Sequence, residues 1–108
     1  MSADNGIYIL GPCLDGSFRV AYAQGIDNIS YPSMDHPDAI ESAKDIFVTN
    51  MQPADNITTP YKAVKCDNWE AALAAARRLE ELFLGDDEDF AILEYGIVSL
   101  GPYPHNLD

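Results

Sequence analysis

Basic residues are scarce in this chain: six Lys and Arg stand against eighteen Asp and Glu, a formal charge of -12. A surface of that sign repels phosphates and anionic lipid headgroups, which argues against direct nucleic-acid binding and against attachment to a membrane surface. Long apolar runs are also missing. The opening stretch Met1 to Leu10 has no basic residue and only a short apolar run, Ile7 to Leu10, so neither a secretory leader nor a membrane anchor is expected there. The expected location is the cytoplasm.

Cysteine and histidine are nearly absent too. Cys13 and Cys66 lie far apart, without Cys-x-x-Cys spacing, and read as two free thiols. Asp35-His36-Pro37-Asp38 matches no helical or zinc-ligand spacing, so no metal site is expected; the stretch reads as a solvated helix cap. A nucleophilic pair of Cys66 or Cys13 with His36 would need a convergence that nothing in the sequence supplies. Neighbouring acids such as Glu80 with Glu81 are expected by chance in so acidic a chain and carry no argument for acid and base catalysis. Gly-x-Gly-x-x-Gly and Walker loops are absent, which leaves nucleotides and other cofactors without support. The expectation is a protein that is not an enzyme.

What is present is enough for a core. With 108 residues, 47% of them apolar and 10% aromatic, the chain reads as one folded domain, 1–108, ending in an extended or loose tail from Gly101 to Asp108. Gly6 to Leu10 is a strand apolar on both faces. Asp15-Gly16 is a hairpin signal that would pair Cys13 with Phe18, Gly11 with Val20 and Ile9 with Tyr22, leaving Arg19, Ala21 and Ala23 on the other face. A helix is predicted from about Pro37 to Asn50, with Ile40, Ala43, Phe47 and Met51 at helical spacing, and a loop from Gln52 to Pro60. A short strand, Tyr61 to Cys66, leads to the strongest pattern in the chain, a helix capped by Asp67 or Asn68 and closed by Gly85. Its expected core face is Trp69, Ala72, Leu73, Ala76, Leu79 and Phe83. Phe90 to Leu100 reads as the last strand, with Gly96 marking a bulge or a close backbone approach. The expected fold is therefore α+β: a two-layer sandwich of β-β-α-β-α-β order, a mainly antiparallel four-stranded sheet with two helices on one face.

The remaining signal is charge placement. Glu80, Glu81, Asp86, Asp87, Glu88, Asp89 and Glu94 have no basic residue among them, and Asp86 to Asp89 follow a helix end where the macrodipole disfavours anions. Asp38, Glu41 and Asp45 add acids to the first helix, with Lys44 beside them. If both helices lie side by side, these acids merge into one negative surface that occupies the places phosphates take in a basic groove. The bland reading is a solvated acidic layer.

Ser2-Ala3-Asp4-Asn5-Gly6 within MSADNGIYIL, the segment Phe18 to Gln24 (FRVAYAQ) and Ile92 to Ile97 (ILEYGI) resemble a family of small, largely uncharacterised bacteriophage and prophage proteins. The likeness covers the two ends and the Ala-rich helix, and it leaves out Tyr31 to Pro60. It carries no catalytic residue with it; what it implies is a phage gene expressed in a bacterial cytoplasm. Small acidic phage proteins often block host machinery, so by analogy the expected function is inhibition of a host nucleic-acid-binding defence complex, of the anti-CRISPR or anti-restriction type. The competing class is a non-catalytic interaction or assembly module, a homodimer formed through a sheet edge or the Pro102-Tyr103-Pro104 tail, with the charge serving solubility.

Overall fold

The computed structural model describes residues 5–24, 37–86 and 93–104, and the elements run β1 (Asn5–Leu10), β2 (Phe18–Gln24), α1 (Pro37–Phe47), β3 (Met51–Gln52), β4 (Ala63–Cys66), α2 (Trp69–Asp86) and β5 (Ile97–Gly101). The fold is α+β, with a five-stranded sheet in the order β3-β4-β2-β1-β5. β1 and β2, and β2 and β4, pair antiparallel; β1 with β5 and β3 with β4 pair parallel. The sheet is thus mixed and has five strands, where a mainly antiparallel four-stranded one was expected. The physical reason lies in the connection: α2 carries the chain back along its own length, so β5 runs in the direction of β4 rather than against it.

The helices do not share a face. Tyr8, Leu10, Ala21 and Ala23 pack with Ala43 and Phe47 of α1, while Ile7, Ile9, Val20 and Val64 pack with Ala72, Ala75, Ala76 and Leu79 of α2. Successive strand residues point to opposite sides, and Tyr8 pairs with Ala21 while Ile9 pairs with Val20, so these two clusters are the two faces of one sheet. The result is three layers, with the sheet in the middle. A strand apolar on both faces needs a cover on both, and β1 has one. The alanines of β2 leave room for α1 to lie close.

Other boundaries shift with this arrangement. The hairpin is slipped by two residues from the expected register, with Ile9 opposite Val20 and Ile7 opposite Tyr22. An even slip keeps every side chain on its expected face. Asp15 accounts for the slip by making its own turn: its carboxylate accepts from the Ser17 backbone N–H (2.9 Å) and hydroxyl, while Gly16 N–H donates to the Cys13 carbonyl (2.9 Å). α2 is capped by Asn68, whose Oδ1 accepts from the Ala71 N–H at 2.8 Å. It continues through Gly85, which is not among the positive-φ glycines, so Gly85 does not end it.

Trp69 is 42% exposed, meets Phe18 edge-on (ring centroids 6.1 Å apart) and is not at the centre of the core; Ala75 is buried in its stead. α1 ends at Phe47, and Met51 belongs to β3. The last strand begins at Ile97, after a turn through Gly96; 90–92 lie outside the described residues. Of the expected tail, Gly101 is the last residue of β5 and Tyr103 is a core side chain, 1% exposed, whose N–H donates to the Pro12 carbonyl at 3.1 Å.

The Asp15 turn supplies a pH prediction. Hydrogen bonds from the Ser17 hydroxyl and then the Ser17 backbone, with Lys65 at 3.2 Å, hold its carboxyl well below the usual carboxylate range. A depressed carboxylate stabilises the fold fully above its unfolded pKa of about 3.9, and that contribution fades as pH falls toward the folded value. Asp15→Ala should therefore lower the melting temperature at neutral pH, and the gap to the parent protein should shrink at about pH 2.5. A gap that widened on acidification would contradict this account.

Candidate interaction surfaces

The acids singled out by sequence fall on different sides of the molecule. Asp38, Glu41 and Asp45 are exposed on α1 at spacings of three and four residues, which sets them along one stripe of that helix. On α2, across the sheet, Glu80 is half-buried and Glu81 is exposed beside Arg78 (3.7 Å). Glu94 is exposed in the turn before β5, its N–H donating to Asn5 Oδ1 at 3.0 Å. Asp86 is the final residue of α2, and Asp87, Glu88 and Asp89 lie outside the described residues. The α1 and α2 acids therefore do not merge into one surface, because the helices carrying them cover opposite faces of the sheet.

The thiols are held inside the fold. Cys13 is half-buried, its Sγ 3.7 Å from the Leu10 carbonyl, and Cys66 is buried; burial, and after it the neighbouring Asp67, pushes the Cys66 thiol up. His36 and His105 lie outside the described residues, so the pairing of a thiol with His36 does too. Among the described residues, no three or more His, Cys, Asp or Glu side chains converge as metal ligands, and no helix is long and apolar enough to cross a membrane.

A surface that sequence reasoning missed lies on the α2 side. Tyr22 of β2 stacks on Phe83 of α2 (centroids 4.8 Å apart, planes at 26°), and Tyr61 stands edge-on to both, at 5.7 Å from Tyr22 and 6.4 Å from Phe83. Tyr22 is fixed at its polar end, where its hydroxyl oxygen accepts from Asn5 Nδ2 (3.1 Å) and Gln24 Nε2 (3.2 Å). Tyr61, 58% exposed, is the open member. It is held in place by its loop: the buried Gln52 side chain donates to the carbonyls of Thr59 (2.7 Å) and Lys62 (3.0 Å) and accepts from the N–H groups of Thr58 (3.0 Å) and Thr59 (3.4 Å). One amide thereby satisfies four backbone groups of an irregular segment that has no ladder of its own. The sequence signal was weak because the three rings come from a strand, a loop and a helix far apart in the chain. Phe83 read there as core, and Tyr61 as the start of a strand.

No protein-family model, curated protein or solved structure gives a match to this chain.

Proposed function

We propose that this protein is a non-catalytic acidic binder that docks on a basic, nucleic-acid-binding surface of a partner protein and so keeps that surface from its nucleic acid. The setting implied by the phage resemblance is inhibition of a host defence complex in the bacterial cytoplasm. The observation that carries the reading is the α1 stripe: Asp38, Glu41 and Asp45 exposed in a row on a chain of formal charge -12. Carboxylates along one helix face present fixed negative charges at a repeat of a few ångströms, which a groove built for phosphates can accept. Charge complementarity of this kind governs association rate and salt dependence more than contact area does.

The test is capture of host proteins on the immobilised protein, followed by challenge with duplex DNA. The expected result is a nucleic-acid-binding protein that is released by added DNA, is lost steeply between about 0.1 and 0.5 M salt, and is not retained by the triple variant Asp38→Asn, Glu41→Gln, Asp45→Asn. Retention indifferent to DNA and to the triple variant would overturn the reading.

A second reading, the self-associating module, is favoured by one feature. β5 is an outer strand of the sheet, it has no further neighbour among the described strands, and it carries the half-buried Ile97, Val98 and Leu100. That reading expects a dimer in light scattering that persists at high salt. The alternative contact through the Pro102-Tyr103-Pro104 segment is disfavoured by the burial of Tyr103 within its own chain.

A further inference from the structure

β5 (Ile97–Gly101) is an outer strand of the sheet, yet its chemistry is that of an inner one. Tyr95 to Pro104 holds no Lys, Arg, Asp or Glu, in a chain of formal charge -12. β1 is uncharged as well, but it is buried and paired on both sides, with β2 and with β5. β5 has one neighbour among the described strands, β1. Outer strands ordinarily carry a charge or a proline, or are too short to pair further. β3, at the opposite edge, is protected by its length of two residues. β5 has five residues and neither a charge nor a proline.

The ladder fixes which backbone groups of β5 are spare. Ile7 N–H donates to the Gly96 carbonyl (2.8 Å), and Ile7, Tyr8 and Ile9 stand opposite Ile97, Val98 and Ser99 in parallel register. In such a ladder alternate residues turn N–H and C=O toward the same neighbour, so Val98 serves β1 while Ile97 and Ser99 turn theirs outward. Ser99 is exposed, whereas Ile97, Val98 and Leu100 are half-buried.

Charge and symmetry select the occupant. Two copies of this chain meeting through α1 would set Asp38, Glu41 and Asp45 against like charge, whereas at β5 a second copy approaches along an uncharged strand. The strand is also self-complementary. Twofold antiparallel pairing sets Ile97 opposite Ser99 of the second copy, so their outward groups exchange hydrogen bonds on both sides of the axis. Val98 then faces Val98 of the second copy as a close, non-hydrogen-bonded apolar pair. Glu94, the described carboxylate nearest in sequence, is held at the level of Asn5, two residues before Ile7. The two copies of Glu94 therefore lie at opposite ends of the pair, on the order of 20 Å apart and beyond the screening length of about 8 Å at physiological salt.

We infer that β5 is a dimerisation strand: two copies of this chain join antiparallel through Ile97 and Ser99, and one sheet runs across both. Such pairing rests on the self-association described above and adds its strand, direction and residues. α1 takes no part in it, so the acidic-binder proposal is independent of it.

Sedimentation equilibrium of the full chain from about 1 to 500 µM should show a monomer–dimer equilibrium. The dimer should tighten as salt rises from about 0.05 to 0.5 M, because screening relieves repulsion between like-charged copies. Ser99→Pro removes an outward N–H that β1 does not use and should weaken the dimer at least about 10-fold. Ser99→Ala keeps that N–H and should stay within about 2-fold of the parent. Ser99→Glu keeps it too but sets a carboxylate on each side of the axis; it should weaken the dimer, less so at high salt, and it decides the matter if the proline variant does not fold. In amide exchange by NMR, Ile97 and Ser99 should gain protection with protein concentration, while Val98 is protected throughout.

A dimer left intact by Ser99→Pro and Ser99→Glu, or exchange at Ile97 and Ser99 indifferent to dimer formation, would remove β5 as the joining strand while self-association itself stood. A dimer that disperses as salt rises, or a chain monomeric at every concentration, would remove both.

Discussion

Replacing Gln52 by Leu should cost the fold about 3 kcal/mol, read as a drop in the urea midpoint with an unchanged slope. The side chain is 7% exposed and makes four hydrogen bonds to backbone groups of Thr58, Thr59 and Lys62. Leu fills a similar volume but returns none of them. Each shielded donor or acceptor left unmet costs roughly 1–3 kcal/mol, and the total stays well below four such terms because Thr58 is exposed and its N–H can turn to water. Gln52→Glu gives a sharper version. A carboxylate there still accepts from Thr58 and Thr59 but faces the Thr59 and Lys62 carbonyls with lone pairs instead of N–H groups.

Gln52→Glu should therefore be as damaging as Gln52→Leu at neutral pH and partly recover on acidification, since the neutral acid can donate once. Amide hydrogen exchange at Thr58 and Thr59 should rise in both variants. If both melt within about 0.5 kcal/mol of the parent, the loop has another source of order and the amide is not its organiser. The same loop sets the angle of Tyr61 against Tyr22 and Phe83, so the ring packing should loosen in both variants.

Gln52 also marks the limit of what sequence patterns carried. Periodicity located α1, α2 and the two-sided burial of β1, because each is a local arrangement of apolar residues. The alternation in β1, with Ile7 and Ile9 on one side and Tyr8 and Leu10 on the other, already contained the demand for helices on both faces. Nothing local says which helix answers which face, so α1 and α2 were expected together and their acids on one surface. β3 is two residues long and has no period to detect. The parallel pairing of β1 with β5 depends on where a whole helix returns the chain.

The aromatic cluster was illegible for a related reason. Tyr22, Tyr61 and Phe83 each fit an ordinary local role, and only the register of β2 against β4 and the seat of α2 bring them within stacking distance. Trp69 misled in the opposite direction: its place on the helical wheel is near the apolar stripe, but it falls in the first turn of α2, where it is 42% exposed and meets Phe18 edge-on. The acids differed again. Their number was plain, yet their value as a surface depends on which layer bears them.

Gly11→Ala should be the most damaging small substitution in the chain, lowering stability by about 4 kcal/mol against a total of roughly 5–15 kcal/mol for a domain of this size. Gly11 has φ +147°, and a Cβ there would lie 2.8 Å from Phe18 Cδ2, 3.0 Å from the Ser17 carbonyl oxygen and 3.1 Å from Phe18 Cα. Two of those three atoms are backbone and cannot swing away. The dihedral strain and the overpacking each cost about 1–3 kcal/mol. Relief would have to come from moving the start of β2, yet Gly11 is also pinned on its other side, where its N–H donates to the Gly101 carbonyl at 3.0 Å and the next residue, Pro12, accepts from Tyr103.

Gly16→Ala is the control: φ is +83° but nothing lies within 4 Å, so only the dihedral penalty of about 1–2 kcal/mol applies. Denaturant midpoints for the pair separate crowding from backbone preference, and equal losses would refute the crowding argument. Trp69 is the single tryptophan of the chain and touches Phe18, so its fluorescence should change in folded Gly11→Ala if Phe18 gives way. Tyr22 lies four residues further along β2, where Gly11 does not reach. Amide exchange at Thr58 and Thr59 should consequently be unchanged in folded Gly11→Ala while rising in Gln52→Leu, which separates loss of the scaffold from loss of the loop.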